Sequence, residues 1–194
     1  HLTLLAKNQT GLVNLMKLTS LGFVEGFYHK PRIDWELIEK YAEGLIALSG
    51  CVIGRVPNLL YQEQELEAYS NLKRFKSIFE HFYLEIQPSS FHGQIKVNPL
   101  LCKMSEKTDT PLVMTTDAHY LNKEDFEAHE VLLCMQTKDV MSNPNRFSFE
   151  CPEFYFCGEE DILERVELNH HDAVKEVVRE AINDAEFVLV TSQE

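Results

Sequence analysis

Pro111-Leu112-Val113-Met114-Thr115-Thr116-Asp117-Ala118-His119-Tyr120 is an apolar run that ends by presenting an acid and an imidazole two residues apart. Read as a strand over residues 111–115, it puts positions i and i+2 on one side of the backbone, so the Asp117 carboxylate and the His119 ring converge on one point. A metal ion suits that point. An ordinary hydrogen-bonded loop, in which Asp-x-His pairs also occur, suits it as well.

Working outward, strands and helices alternate. Upstream lies an amphipathic helix over 94–107 with Val97, Leu100, Leu101 and Met104 inward, and before it a strand over 82–87 carrying Glu85. A carboxylate inside an apolar strand must find a cation or hydrogen-bond donors, and a structural partner is the expected one. Residues 59–82 read as one helix, with Leu66, Tyr69, Leu72, Phe75, Ile78 and Phe79 at spacings of three and four. Further back, the short strand 45–49 runs into Gly50-Cys51-Val52-Ile53-Gly54, so Cys51 sits just past a strand end between glycines that let the chain turn sharply. A lone cysteine there is equally readable as a small buried hydrophobe.

The chain opens on a strand over 2–6. Asn8-Gln9-Thr10-Gly11 then caps a helix with Leu12, Leu15, Met16 and Leu18 on one face. A loop rich in aromatic and basic residues follows, in which Lys30 and Arg32 are candidate phosphate contacts, although a guanidinium paired with a neighbouring carboxylate is the commoner outcome. Asp34 caps a short helix, Trp35–Tyr41, that ends at Gly44. Downstream of His119, a helix over 123–135 places His129 one turn after Asp125, a spacing that suits a hydrogen bond or ion pair. Beyond residue 136 comes a polar connection, then two helices over 159–167 and 172–187. His170 and His171 between them read as a solvated boundary.

This alternation predicts parallel strands with crossover helices, an α/β layer or barrel in which chemistry gathers where strands end. Cys51 and the Asp117/His119 pair both fall at such ends and are candidates to share a pocket. His1 precedes its strand, which in a parallel arrangement leaves it at the opposite end.

Composition sets limits. With 194 residues, 44% of them hydrophobic, the chain suffices for one sizeable core and a small appendage. No segment has the length of a membrane span or the flanks of a signal peptide, so no membrane role and a cytoplasmic location are expected. Five cysteines, widely spaced and without a CxxC pattern, argue against a secreted disulfide framework. A net charge of −13 disfavours non-specific nucleic-acid binding, so any DNA must be brought by other parts of the protein. The start at His1, without Met, reads as a piece of a longer polypeptide.

Ordered strings carry a family resemblance: His1-Leu2-Thr3-Leu4-Leu5-Ala6-Lys7-Asn8, Glu25-Gly26-Phe27-Tyr28-His29-Lys30-Pro31-Arg32-Ile33-Asp34, Glu43-Gly44-Leu45-Ile46-Ala47-Leu48-Ser49-Gly50-Cys51, Tyr83-Leu84-Glu85-Ile86-Gln87 and Thr116-Asp117-Ala118-His119-Tyr120. Together they resemble the PHP (polymerase and histidinol phosphatase) domain of bacterial DNA polymerase III alpha subunits, the C-family replicative polymerases. The resemblance implies part of a distorted (β/α)7 PHP barrel with a C-terminal helical extension. Residues 1–136 would be the C-terminal portion of the barrel, and 137–194 a connection towards the polymerase palm. It also implies that His1, Cys51, Asp117 and His119 are metal ligands for divalent ions, zinc or manganese with magnesium also admitted. The family's earlier HxH ligands have no counterpart in this chain. Departures are His29 where the family often has Tyr, Thr116 in place of Asn, and Pro88-Ser89-Ser90 lengthening a turn.

The function so implied is metal-dependent phosphoester hydrolysis, a 3′–5′ exonuclease within a DNA-directed DNA polymerase (a nucleotidyltransferase). DNA, the sliding clamp and a proofreading subunit are the implied partners. An alternative is a catalytically silent scaffold that steadies the polymerase and docks a separate proofreading exonuclease. A free-standing histidinol-phosphatase-like enzyme fits less well, because the polymerase-like strings would then lack a purpose.

Overall fold

A computed structural model describes residues 1–149, 151–170 and 172–183. The elements are β1 (Thr3–Ala6), α1 (Gln9–Val24), α2 (Trp35–Tyr41), β2 (Leu45–Leu48), α3 (Arg55–Tyr61), α4 (Glu65–Ile78), β3 (His81–Ile86), α5 (His92–Thr108), β4 (Leu112–Met114), a 3-10 turn (Lys123–Asp125), α6 (Phe126–Thr137), α7 (Glu159–Asn169) and α8 (Asp172–Asn183). They form a mixed α/β fold around a four-stranded sheet of order β1-β2-β3-β4. The part of the expected last helix beyond Asn183 lies outside the described residues. Among the described residues, no helix is long and apolar enough to cross a membrane.

The chain divides into two compact units, one of His1–Glu85 with Met104–Leu112, the other of Ile86–Lys103 with the residues from Val113 onward. In the first, β2 and β3 are parallel, with Ile46 opposite His81 and Leu48 opposite Tyr83, as strand–helix alternation predicts. Strand β1 departs from that expectation: it is antiparallel to β2, Thr3 facing Leu48 and Ala6 facing Leu45. Two glycines explain the reversal. Asn8 caps α1 by accepting from the Gly11 amide at 2.9 Å, and the first turn of α1 then lies against Gly44, whose φ of +75° opens β2. A Cβ on Gly11 would sit 1.9 Å from the Gly44 carbonyl oxygen, so only glycine admits the contact. The Lys7 amide donates to the same carbonyl at 2.9 Å. The end of β1 is thereby fastened to the start of β2, and the strands must run in opposite directions.

The core of this unit is built by Leu45, Ala47 and Leu48 of β2, Leu72 and Phe75 of α4, and Phe82 and Leu84 of β3, all buried. Phe75 stacks on Phe82 at 5.2 Å and meets Trp35 at 4.8 Å. Asp34 caps α2 as expected, accepting from the Leu37 amide at 2.9 Å. The helix read over 59–82 is two helices: the chain turns at Glu63, where φ is +62°, and the apolar periodicity runs on across the break. Leu66, one of the residues in that helical spacing, is 89% exposed beside the turn, and on α1 Leu12 and Met16 are also exposed whereas Leu18 is buried.

The second unit packs Val97 and Leu101 of α5, Met114 of β4, Leu133 of α6, Ile162 and Val166 of α7, and Val174 and Val178 of α8. His170, read as a solvated boundary, is buried instead: its Nε2 lies 2.9 Å from the Ser89 carbonyl oxygen, a contact across 81 positions that no local pattern announces. His171 lies outside the described residues.

Candidate functional site

The first unit presents the turn after β2. Gly50 takes φ +78°, the left-handed conformation foreseen for the glycine bracket. Gly54 closes the turn so tightly that a Cβ there would approach the Ser49 carbonyl oxygen to 2.1 Å. Glu85, 5% exposed, holds this turn from β3: its carboxylate accepts from the Gly50 amide at 3.1 Å, while its own amide donates to Ser49 Oγ at 2.9 Å. Its partner is thus a structural one, as the sequence reading favoured. Cys51 sits half-buried on the turn. The antiparallel sense of β1 also carries His1 to the end of β2 where Cys51 lies. The His1 carbonyl oxygen is 3.5 Å from where a Cβ on Gly50 would stand. The objection that a residue before its strand sits at the wrong end holds only for a parallel β1.

In the same unit, Lys30 and Arg32 lie exposed on the loop between α1 and α2. The Arg32 guanidinium covers the Tyr28 ring at 4.7 Å, and the Tyr28 amide donates to the Lys30 carbonyl at 3.1 Å.

In the second unit, β4 ends at Met114, earlier than the extended run to His119 would require. Asp117 takes φ +51°, so alternation along a strand does not place the Asp117/His119 pair. A turn places it. His119 Nδ1 lies 2.6 Å from the Asp117 carbonyl oxygen, to which it donates. That bond leaves the lone pair on Nε2, the tautomer in which a histidine presents a nitrogen to a metal ion. The His119 main chain is held from a distant segment, its amide donating to the Phe154 carbonyl at 2.7 Å and the Phe156 amide donating to the Tyr120 carbonyl at 3.0 Å. Tyr120 and Tyr155 pair in parallel there. Residues 154–156, which the sequence assigns to an outgoing connection, therefore return to His119.

Around His119 the second unit assembles Phe149 and Phe154, which sequence reasoning did not single out, and His129, for which it expected another partner. Phe149 lies 4.9 Å and Phe154 5.5 Å from the His119 ring, and His129 lies 5.9 Å away. His129 stacks on Phe149 at 5.1 Å and does not pair with Asp125, whose carboxylate accepts from the Asn122 amide at 2.9 Å. Burial, with the neighbouring His119 adding to it, pushes the His129 pKa below the usual histidine value. Burial pushes the Tyr120 hydroxyl up.

Glu130 fixes this arrangement from α6. Its carboxylate, 2% exposed, accepts from the Arg146 guanidinium, the Ser148 hydroxyl and the Phe149 amide. Burial alone would raise its pKa. The Ser148, Arg146 and Phe149 contacts together outweigh burial and hold it below the usual carboxylate range. The Phe149 backbone is thereby pinned beside His119. Glu130 beside the apolar run Val131-Leu132-Leu133, followed by Arg146 in a polar stretch, is the available signal for this contact.

His1 and Cys51 are thus near one another in the first unit, and Asp117 and His119 in the second. The donor types suit a divalent transition metal, and the His119 tautomer suits a ligand. Among the described residues, however, no three His, Cys, Asp or Glu side chains gather closely enough to hold a metal ion.

Residues 1–89 match the PHP domain family. The chain is 42% identical over 166 residues to the DNA polymerase III subunit alpha of Treponema pallidum, which covers 84% of this chain and 14% of that protein. It is 46% identical over 156 residues to that of Thermus aquaticus, covering 80% and 13%. With that of Aquifex aeolicus it shares 46% over 153 residues, covering 78% and 13%. The chain spans 13–14% of the length of these relatives.

Proposed function

Residues 1–89 are PHP-domain sequence and the chain is a homologue of bacterial DNA polymerase III alpha subunits; from that premise we propose that it is part of a replicative DNA polymerase whose PHP domain trims 3′ ends of DNA as a metal-dependent phosphoesterase. Residues 1–136 would belong to a distorted (β/α)7 barrel and residues 137–194 to the path towards the palm. DNA and other replicase subunits, a sliding clamp and a proofreading subunit among them, would be its partners in the cytoplasm.

The ligands proposed from this chain are His1, Cys51, Asp117 and His119, completed by residues outside it. A divalent ion bound there would lower the pKa of a coordinated water and clamp phosphate oxygens as charge develops. The observation that carries this reading is the bond from His119 Nδ1 to the Asp117 carbonyl oxygen, which orients the ring and leaves the lone pair on Nε2. The antiparallel β1, which carries His1 to the Cys51 turn, supports the other two assignments. In this scheme Glu85 holds the Cys51 turn and Glu130 holds the ring layer beside His119. Lys30 and Arg32, exposed on their loop, are proposed to touch phosphates.

The test is the metal content per chain of the complete polypeptide, measured by mass spectrometry beside an Asp117→Ala/His119→Ala variant. Bound metal in the parent and less in the variant is the expected result. Equal content in both removes these two residues from the ligand set. Absence of metal from the parent leaves the silent scaffold as the better reading.

A further inference from the structure

We infer that Phe147 is a stacking platform for the unpaired 3′-terminal nucleobase of a DNA strand presented at His119, an inference that rests on the phosphoesterase reading above. Phe147 is 57% exposed, yet the chain on both sides of it is fixed. Before it, Arg146 donates to the buried Glu130; after it, the Ser148 hydroxyl and the Phe149 amide donate to the same carboxylate. Further back, Asn143 accepts from the Asn145 amide at 3.0 Å and donates to Asp139, also at 3.0 Å. An apolar ring on an anchored loop loses little conformational freedom when a partner lands on it, and that low cost favours binding.

The position of the ring selects the partner. Phe147 meets Phe149 edge-on at 6.0 Å, and Phe149 lies 4.9 Å from His119, so the exposed ring is two ring contacts from the proposed metal ligand. On the phosphoesterase reading, that separation is short enough for one DNA end to reach both Phe147 and His119. The adjacent cation in the chain, Arg146, is already paired with Glu130, and the chain carries a net charge of −13. Charge attraction to the phosphate backbone is accordingly weak here, and a π-face is the feature left to recognise. Every nucleobase has one, so stacking serves an enzyme that must accept any terminal base. An unpaired terminal base is the one whose face is free.

The test uses the complete polypeptide and a primer–template carrying 2-aminopurine at a mismatched 3′ end. The parent quenches the fluorescence on binding, and Phe147→Ala loses the quench. The same variant raises KM for trimming about tenfold, the change expected from losing one base–aromatic stack. Phe147→Tyr restores both, and a primer ending in an abasic site abolishes the difference between parent and Phe147→Ala. A parent that trims while Phe147→Ala quenches and trims alike overturns the platform and leaves the phosphoesterase reading standing. A parent that quenches through Phe147 but does not trim keeps the platform and overturns the exonuclease. Neither quenching nor trimming by the parent overturns both.

Discussion

Replacing Glu130 by alanine removes the acceptor shared by Arg146, Ser148 and Phe149. The carboxylate is 2% exposed and the Arg146 side chain 17% exposed, so the guanidinium left behind regains only part of its hydration. Removing one partner of a buried ion pair costs about 3–5 kcal/mol, and the residual exposure of Arg146 puts this case near the lower end, about 3 kcal/mol. The loss falls on the segment 146–149 and on α6, which the carboxylate joins. At 1.4 kcal/mol for each factor of ten, amide hydrogen exchange of that segment should accelerate about 100-fold. Glu130→Gln keeps one oxygen to accept from Arg146 and Ser148 but loses the charge and puts an NH2 donor where the Phe149 amide needs an acceptor, and should accelerate exchange by about tenfold. The wild-type contribution should also depend on pH with a definite sign. A carboxylate whose folded pKa lies below its unfolded value stabilises fully above the unfolded value, about 4.3, and less as pH falls through the folded one. Hydrogen exchange taken relative to intrinsic rates and read by mass spectrometry on the complete polypeptide, from neutral pH down to about pH 2.5, measures both effects. Unchanged exchange over residues 146–149 in Glu130→Ala would refute the reasoning, because the anchor would then contribute nothing.

Two further perturbations test the fold. Gly11→Ala drives a Cβ to 1.9 Å from the Gly44 carbonyl oxygen, where backbone on both sides resists movement. The β1–β2 antiparallel pair should separate, seen as loss of soluble protein or of exchange protection at Lys7, with a cost above the range of about 1–3 kcal/mol typical of overpacking. His170 is buried, and burial depresses its pKa despite the Ser89 carbonyl and Glu153, which both act to raise it. The unfolded chain then binds a proton that the folded chain refuses, so stability falls as pH drops through about 6.5, towards the lower folded value. Protection from exchange near Ser89 and the end of α7, measured relative to intrinsic rates, should therefore fall between about pH 7 and 5. The effect should be absent in His170→Gln; persistence there would assign it to another group.

Much of the local structure was legible because its causes are local. Asn8 and Asp34 announce helix starts through their capping oxygens, and the glycines around Cys51 announce a turn. The motif strings likewise point to the PHP family, which the comparisons show over residues 1–89. Strand alternation is the sequence's reason for pairing Asp117 with His119, whereas the structure relates them through a left-handed residue and a bond from the His119 ring to the Asp117 main-chain carbonyl. Apolar periodicity could not reveal the break at Glu63, because α3 and α4 keep similar spacing on either side of one positive φ.

The sequence by itself determined most of the helices and strands, the capping and turn residues around Asn8, Asp34 and Cys51, and the identity of the candidate donors, since each depends on neighbours within a few positions. Tertiary structure alone decided the direction of β1, the burial of His170, the return of residues 154–156 to His119 and the binding of Glu130 to residues 146–149. Each of these is a pairing between distant segments. A strand's apolar pattern reads the same in either direction, and a carboxylate's pattern does not name its donor; only the close approach of backbone at Gly11 and Gly44, or of Arg146 to a buried charge, chooses among the partners the chain could have had.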